Sequence, residues 1–202
     1  MHKNSRAIMG WFKNSVLNEN DSLKILDVGS LDVKGDYNYK EIFNEPNWKY
    51  TGLDIKSGNN VDIVIDDIYN WFEIEDNSFD VVISGQFLQN IEYYWLTMSQ
   101  IERVLKPGGY VCIIVPSGGP NYNDDLLDCC RFTRDGLKAA AKYVGLDILR
   151  IGRDGRPIAK PWFDVYVFAQ KPRKRISGNN KNIEGRVNDL EKKLEIIMEK
   201  IN

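Results

Sequence analysis

The chain has 202 residues, and its 27 lysines and arginines stand against 29 aspartates and glutamates, which gives a formal net charge of −2. This length fits one ordinary globular domain with a short additional segment. A near-neutral balance provides no positive field that would collect nucleic acid or an anionic membrane surface. Non-specific binding of polyanions is therefore not expected to be the main role.

The apolar runs are as long as strands rather than membrane spans. Runs such as 81–83 and 111–115 fall far short of the roughly 20 residues that cross a bilayer. Residues 1–17 contain no long apolar core and no small-residue cleavage site, so we expect no signal peptide and a cytoplasmic protein. The cysteines, Cys112, Cys129 and Cys130, suit neither a disulfide framework nor a zinc site, and no metal site is predicted. Cys112 is predicted to be a small buried residue in a strand.

Apolar periodicity predicts alternating strands and helices. Apolar residues at helical spacing over 5–17 predict an amphipathic helix that precedes the first strand and caps a cleft. Strands are predicted at 23–28, 50–55, 61–65, 79–84, 110–115, 146–151 and 162–169. Helices are predicted at 37–43, 93–105 and 134–144. This order indicates a parallel sheet covered on both faces, that is, a doubly wound α/β fold.

The character of the chain changes after Gln170. Residues 171–182 are polar, basic and without periodicity, which predicts a linker after a domain of residues 1–170. In residues 183–202, apolar side chains recur at alternating spacings of four and three, which is typical of a heptad repeat: Ile183, Val187, Leu190, Leu194, Ile197 and Ile201. This segment is predicted to be a coiled-coil helix for self-association or partner binding. The alternative is an amphipathic helix packed on its own domain.

A glycine turn follows the first predicted strand, in LDVGSLDVKG at 26–35. Gly29 permits a tight reversal and a close approach of backbone amides to a ligand, while Asp27 can accept hydrogen bonds from a cationic or amine-bearing group. A carboxylate at that place disfavours a phosphate. The G-x-G-x-x-G fingerprint of dinucleotide-binding proteins is also absent, which argues against a nicotinamide-dependent oxidoreductase.

Acidic residues also end the next two predicted strands. Asp54 in YTGLDI is suited to hold both hydroxyls of a ribose. In VDIVIDDIYNW, Asp66 or Asp67 is suited to bond the exocyclic amine of an adenine, with Ile68 packed on the ring. Each acid alone is more often a solvated loop residue. Together, at the ends of three successive strands, these acids outline a nucleoside site.

Residues 23–170 resemble the class I S-adenosylmethionine-dependent methyltransferases of the small single-domain type. Four motifs in order carry the resemblance: LDVGS, YTGLDI, DNSFDVVIS and IERVLKPGGYVCIIVPS. The resemblance implies a Rossmann-like, mostly parallel seven-stranded sheet, S-adenosylmethionine as cofactor and S-adenosylhomocysteine as product. It implies methyl transfer to a small molecule or to a sugar or glycan intermediate. The cofactor-binding residues that it implies are Asp27, Gly29, Ser30, Gly35, Asp54, Ile55, Asp67, Ile68, Ser84 and Gln86.

The chain departs from that family in its glycine turn and in its histidines. The usual D-x-G-x-G-x-G pattern retains only its first glycine before Gly35. Relatives commonly have Glu-His where this chain has Gln89-Asn90, and a histidine near the position of Asn123, so both imidazoles are missing.

The catalytic residue is therefore unknown from sequence. The candidates are Asn90, which cannot take a proton, and Asp124 and Asp128, whose alternative role is structural or solvent-facing. Arg131 is expected to pair with a neighbouring carboxylate. Methyl transfer depends chiefly on holding the nucleophile and the methyl group in line, so a missing base leaves two hypotheses open. The first is a methyltransferase; the alternative is a non-catalytic or weakly active relative that serves assembly through its C-terminal helix.

The heptad hypothesis has a test that is separate from catalysis. Removing residues 183–202 should lower the oligomeric state without unfolding the domain, because the apolar repeat lies wholly within that segment. Light scattering on the full and shortened chains measures this. Equal protomer numbers for the two chains would contradict self-association through this helix.

Overall fold

The protein contains a seven-stranded sheet. The computed structural model describes residues 3–33, 35, 38–120 and 127–173. The strands are β1 (Lys24–Val28), β2 (Lys49–Asp54), β3 (Ile63–Val64), β4 (Phe79–Gly85), β5 (Leu105–Val115), β6 (Asp147–Arg153) and β7 (Val165–Gln170). The helices are α1 (Lys3–Val16), α2 (Tyr94–Val104) and α3 (Arg134–Tyr143), with short 3-10 turns at Leu88–Asn90 and Pro157–Ala159.

The strand order is β3-β2-β1-β4-β5-β7-β6. The pairs among β1 to β5 are parallel, and β7 runs antiparallel to both β5 and β6. Because β1 lies between β2 and β4, the connections that leave β1 and β4 diverge and open a crevice at their carboxyl ends. Asp27 of β1 stands at that point, in register with Gly52 on β2 and Ile83 on β4. The predicted doubly wound, mostly parallel sheet is thus confirmed.

Two apolar layers cover the sheet. Successive residues of a strand point to opposite faces, so each strand supplies both layers. On one face α1 packs against residues of the central strands, with Ile8, Met9 and Phe12 buried. On the other face the core contains side chains from α2 and α3, among them Met98, Ile101, Leu137 and Ala141. Cys112, on β5, is fully buried as predicted.

The boundaries of most predicted elements hold to within a few residues, with three exceptions. The predicted helix at 37–43 is wrong: residues 38–43 form turns, because one turn closed by hydrogen bonds to the Tyr39 carbonyl is too short to propagate as a helix. The strand predicted at 61–65 shrinks to Ile63–Val64. The strand predicted at 110–115 begins earlier, at Leu105, so the sequence KPGG at 106–109 lies inside β5; Gly108 there has a φ of 84°, and the register with β4 shifts.

The compact unit that these elements form ends at Pro172. The predicted coiled-coil helix at 183–202, and the predicted linker from residue 174 onward, lie outside the described residues. Among the residues that are described, no helix has the length and apolar character needed to cross a bilayer.

The packing of α1 gives a stability prediction. Phe12 is fully buried, and its ring centroid lies 5.2 Å from that of Phe168 on β7. Phe12→Ala should therefore cost about 3–5 kcal/mol in the free energy of unfolding, from lost burial and the cavity left behind. Urea unfolding measures the difference. The matched control is Phe72→Ala, since that ring is 89% exposed; equal effects of the two variants would show that α1 is not part of the core.

Candidate functional site

The turn after β1 closes against the end of β2. The backbone amides of Gly29 and Ser30 both donate to the Leu53 carbonyl, at 2.9 Å and 3.1 Å. Gly29 has a φ of 80°, and a Cβ atom there would overlap the ring of Phe87. Both the backbone conformation and the space therefore demand glycine at this position. Gly35 lies farther along the same connection, where its amide donates to Asp32 Oδ1 at 2.9 Å.

Asp27 is a buried carboxylate with one unpaired oxygen. Its residue is 2% exposed, Oδ2 accepts a hydrogen bond from the Tyr50 hydroxyl, and Oδ1 is buried with no hydrogen-bond partner. Burial raises the pKa of Asp27 to about 7; the hydrogen bond from Tyr50 lowers it, and the nearby charge of Asp54 raises it. A buried acceptor without a partner is rare in folded proteins. This oxygen is consequently suited to accept a hydrogen bond from a cationic ligand group.

Asp54 holds the two loops that flank the end of β2. The residue is 8% exposed; Oδ2 accepts from the Leu31 amide at 3.0 Å, and Oδ1 accepts from the amides of Ile55 and Lys56 at 2.8 Å and 3.3 Å. A carboxylate offers about four lone-pair sites, so one acceptor site, on Oδ2, is left for a hydroxyl group of a ligand. The Ile55 side chain is 45% exposed beside it.

Ser30, Asn60 and Tyr50 form a hydrogen-bonded network behind the glycine turn. The Ser30 hydroxyl donates to the Asn60 carbonyl at 2.8 Å. The Asn60 side-chain amide donates to the Ser30 carbonyl at 3.0 Å and to the Tyr50 hydroxyl at 3.1 Å. Sequence reasoning missed Tyr50 and Asn60. A usable signal was the alternation of Tyr50, Gly52 and Asp54, which puts all three on one face of β2.

The residues predicted to hold an adenine lie after β3 and are engaged in their own turn. Asp67 Oδ1 accepts from the Tyr69 amide at 2.8 Å, and Oδ2 accepts from the Asn70 side chain at 2.7 Å. The Asn70 hydrogen bond, with that from the Tyr69 amide, holds the pKa of Asp67 below its usual value. The Ile68 carbonyl accepts from the Trp71 indole at 2.9 Å. Asp66 is exposed. Adenine binding at these residues stays a prediction.

The end of β4 carries side-chain amides without partners. The Ser84 hydroxyl donates to the Val28 carbonyl at 2.9 Å and ties β4 to β1. Gln86, with a φ of 63°, has both side-chain amide atoms buried and unpartnered. Gln89 Oε1 and Asn90 Oδ1 are buried and unpartnered as well. These neutral groups are candidates for hydrogen bonds with a ligand.

Asp128 is engaged by an arginine, which argues against its action as a free base. Both of its carboxylate oxygens accept from the Arg131 guanidinium, one of them from Nη2 at 2.7 Å. The pairing of Arg131 with a neighbouring carboxylate was predicted and is confirmed. Asn90 lies in the 3-10 turn after β4, while Asp124 is outside the described residues.

Aromatic side chains surround the loop after β4. The Tyr93 ring centroid lies 5.5 Å from that of Tyr69 and 5.7 Å from that of Trp95. Tyr94 packs edge-on to Phe132 at 5.0 Å. Tyr93 and Trp95 are 49% and 39% exposed, so part of their ring surface remains open to solvent.

Comparison with known proteins supports a methyltransferase domain. Residues 26–113 match the family model described as "Methyltransferase domain". The demethylmenaquinone methyltransferase of Staphylococcus haemolyticus is 40% identical over 62 residues, which are 31% of this chain and 26% of that protein. The one from Staphylococcus aureus strain JH9 is 46% identical over 43 residues, or 21% and 18% of the two chains. The chain thus spans about a quarter or less of the length of these relatives.

Solved structures share the fold at low sequence identity. The cyclase SpnF superposes with a TM-score of 0.63 and 17% identity, covering 84% of this chain and 81% of that one. A 1,6-didemethyltoxoflavin-N1-methyltransferase of Burkholderia thailandensis, solved with its substrate and S-adenosylhomocysteine, has a TM-score of 0.63 and 18% identity, with coverages of 84% and 77%. At these identities the two structures show that this chain shares their fold.

The raised pKa of Asp27 predicts how stability depends on pH. Because the folded protein retains this proton up to about pH 7 while the unfolded chain loses it near pH 4, the contribution of Asp27 to stability is full below pH 4 and is lost as the pH rises to 7. Asp27→Asn removes the titration. The free energy of unfolding of the variant, relative to that of the parent, should rise by on the order of 4 kcal/mol between pH 4 and 7. Above pH 7 this difference should stay constant.

Urea unfolding at a series of pH values checks this prediction. Asp147→Asn, at an exposed position on β6, is the control for loss of one carboxylate. A constant difference between Asp27→Asn and the parent across pH 4–8 would contradict the assigned titration.

Proposed function

We propose that this chain, which carries a class I S-adenosylmethionine-dependent methyltransferase domain, transfers a methyl group from S-adenosylmethionine to a small-molecule acceptor. The observation that carries the proposal is the buried, half-satisfied carboxylate of Asp27 beside the turn at Gly29. A site for a cationic ligand should present an unpaired buried acceptor of this kind.

The residues present fit this cofactor. In the proposal, Asp27 Oδ1 accepts from the protonated amino group of the methionine part, next to the turn of Gly29 and Ser30. Asp54 uses its remaining lone-pair site, on Oδ2, for a ribose hydroxyl, and the Gln86 amide is available to the polar end of the ligand. When bound, the sulfonium of the cofactor supplies an activated methyl group.

The protein's contribution to the reaction is mainly positioning. An in-line displacement requires that the nucleophile be held within about 3–3.5 Å of the methyl carbon. The single histidine of the sequence, His2, is outside the described residues, and Asp128 is paired with Arg131. We propose an acceptor that is held by the neutral amides of Gln89 and Asn90; a nucleophilic atom that is already deprotonated would need only this orientation.

The acceptor class is proposed from the surroundings of these amides. The rings of Tyr69, Tyr93 and Trp95 pack on one another, and those of Tyr93 and Trp95 leave aromatic surface exposed. Relatives and neighbours are named for demethylmenaquinone and 1,6-didemethyltoxoflavin. Both names support a small molecule; a sugar or glycan intermediate is the other acceptor class that the sequence motifs favour.

Calorimetric titration with S-adenosylmethionine and S-adenosylhomocysteine tests the proposal. Asp54→Asn should weaken binding roughly tenfold or more, since hydrogen bonds to a charged group contribute about 1.5–3 kcal/mol each. Circular dichroism melting separates this loss from loosening of the loop that Asp54 supports. Asp147→Asn should bind as the parent does.

Two results would count against the proposal in different ways. No binding to the folded parent protein at millimolar ligand would overturn the cofactor assignment and favour a non-catalytic assembly domain. If Asp54→Asn binds as tightly as the parent, the proposed position of the ribose at the end of β2 would be wrong.

A further inference from the structure

Tyr50 is the one side chain of the described residues that donates a hydrogen bond to the Asp27 carboxylate. It lies on β2, two residues from Gly52, which is in register with Asp27. We propose that Tyr50, oriented by Asn60, positions the Asp27 carboxylate for the amino group of the cofactor. This inference rests on the proposed function.

The hydrogen bonds fix the direction of the Tyr50 proton. The Asn60 side-chain amide can only donate through Nδ2, and it does so to the Tyr50 oxygen at 3.1 Å. The phenolic hydrogen is then directed to Asp27 Oδ2, which leaves Oδ1 as the available acceptor. Donors arranged in series in a poorly solvated site strengthen one another. Asn60 therefore reinforces the bond that Tyr50 makes.

The same network connects the carboxylate to the glycine turn. The Asn60 amide also donates to the Ser30 carbonyl at 3.0 Å, and Ser30 returns a hydrogen bond to the Asn60 carbonyl at 2.8 Å. Asn60 has a φ of 68°, a conformation that asparagine tolerates better than most residues. Asn60 thus contacts both the backbone of the glycine turn, at Ser30, and the Tyr50 hydroxyl that is hydrogen-bonded to Asp27.

Tyr50 lowers the pKa of Asp27 against the effects of burial and of a neighbouring charge. Tyr50 and Asp54 face it from β2, and Tyr39 faces it from the connection after β1. The ammonium of Lys40 lies 6.0 Å from the centre of the Tyr50 ring. Burial and the charge of Asp54 raise the pKa of Asp27, and the Tyr50 hydroxyl opposes them. The pKa of Tyr50 itself is raised by burial, so the phenol keeps its proton.

Tyr50→Phe removes the hydroxyl and keeps the ring. The titration of Asp27 should move upward by about one pH unit or more, since a hydrogen bond to a charged group is worth about that much. The pH range over which the affinity for S-adenosylhomocysteine rises should shift upward by the same amount. We expect affinity near pH 7 to fall roughly tenfold and the loss to shrink as the pH rises through that range. A merely structural defect would weaken binding equally at every pH.

The experiment combines calorimetry from pH 5 to 8.5 with a carbon-13 NMR titration of the aspartate carboxyls in the ligand-free protein. Tyr110→Phe is the control, because the Tyr110 hydroxyl on β5 has no hydrogen bond among the described residues. If Tyr50→Phe fails to fold, Asn60→Gly keeps the left-handed backbone and should give a smaller shift in the same direction.

The outcomes separate this inference from the proposed function. An unchanged NMR titration of Asp27 in Tyr50→Phe would overturn the positioning role even if the parent binds the cofactor. A shifted titration together with absent binding in the parent would retain the control of Asp27 by Tyr50 and reject the proposed function. A shift in both measurements supports the inference.

Discussion

Burial of the Asp27 carboxylate, where the ends of β1, β2 and β4 meet, is the constraint on which the rest of the site depends. Its environment raises its pKa to about 7 and leaves Oδ1 without a partner. Such an arrangement destabilises the folded chain whenever the group is charged. Selection removes a destabilising group only when the whole protein becomes too unstable to function. A group of this kind can therefore be retained where function requires it. The destabilisation by the charged Asp27 carboxylate is consistent with the proposed role of this residue in binding a cationic ligand.

The surrounding loops are held by side chains rather than by helices. Between β1 and β2 the described residues form no helix, and the turn at Gly29 is instead fixed by the Leu53 carbonyl and by Asp54. A helix would supply a row of backbone amides at this place. Here the turn is held by two side chains instead: the Asp54 carboxylate accepts a hydrogen bond from the Leu31 amide, and the Asn60 side-chain amide donates one to the Ser30 carbonyl. The geometry of the site is therefore sensitive to single polar substitutions in these loops.

This dependence explains which parts of the site could be predicted from the sequence. The positions of Asp27 and Asp54 were predictable, because an acid near the carboxyl end of a buried parallel strand lies at the carboxyl edge of the sheet. The pairing of Arg131 with a neighbouring carboxylate was predictable as well, since Asp128 lies only three residues away. The alternation along β2 could have placed Tyr50 on the same face as Asp54, but the contact between Tyr50 and Asn60 depends on how the loop after β2 folds back, which no local pattern specifies.

The same reasoning explains the wrong helix at 37–43. Its apolar residues have helical spacing, but Tyr39 and Phe43 are buried by packing against the sheet rather than by forming one face of a helix. Tertiary contacts determined the backbone there, as they do for most short amphipathic segments.

The fold by itself does not select a reaction, since a cyclase and a methyltransferase superpose equally well on this chain. What distinguishes the possibilities is the charge of the site. In the proposed function, Asp27 and Asp54 give the cofactor-binding side a negative character, whereas the groups proposed to face the acceptor are the neutral amides of Gln89 and Asn90. Two carboxylates suit a cationic cofactor, and the positive charge of that cofactor is consumed as the new bond to the methyl group forms. Under this proposal the protein contributes mainly the alignment of the acceptor with the methyl group.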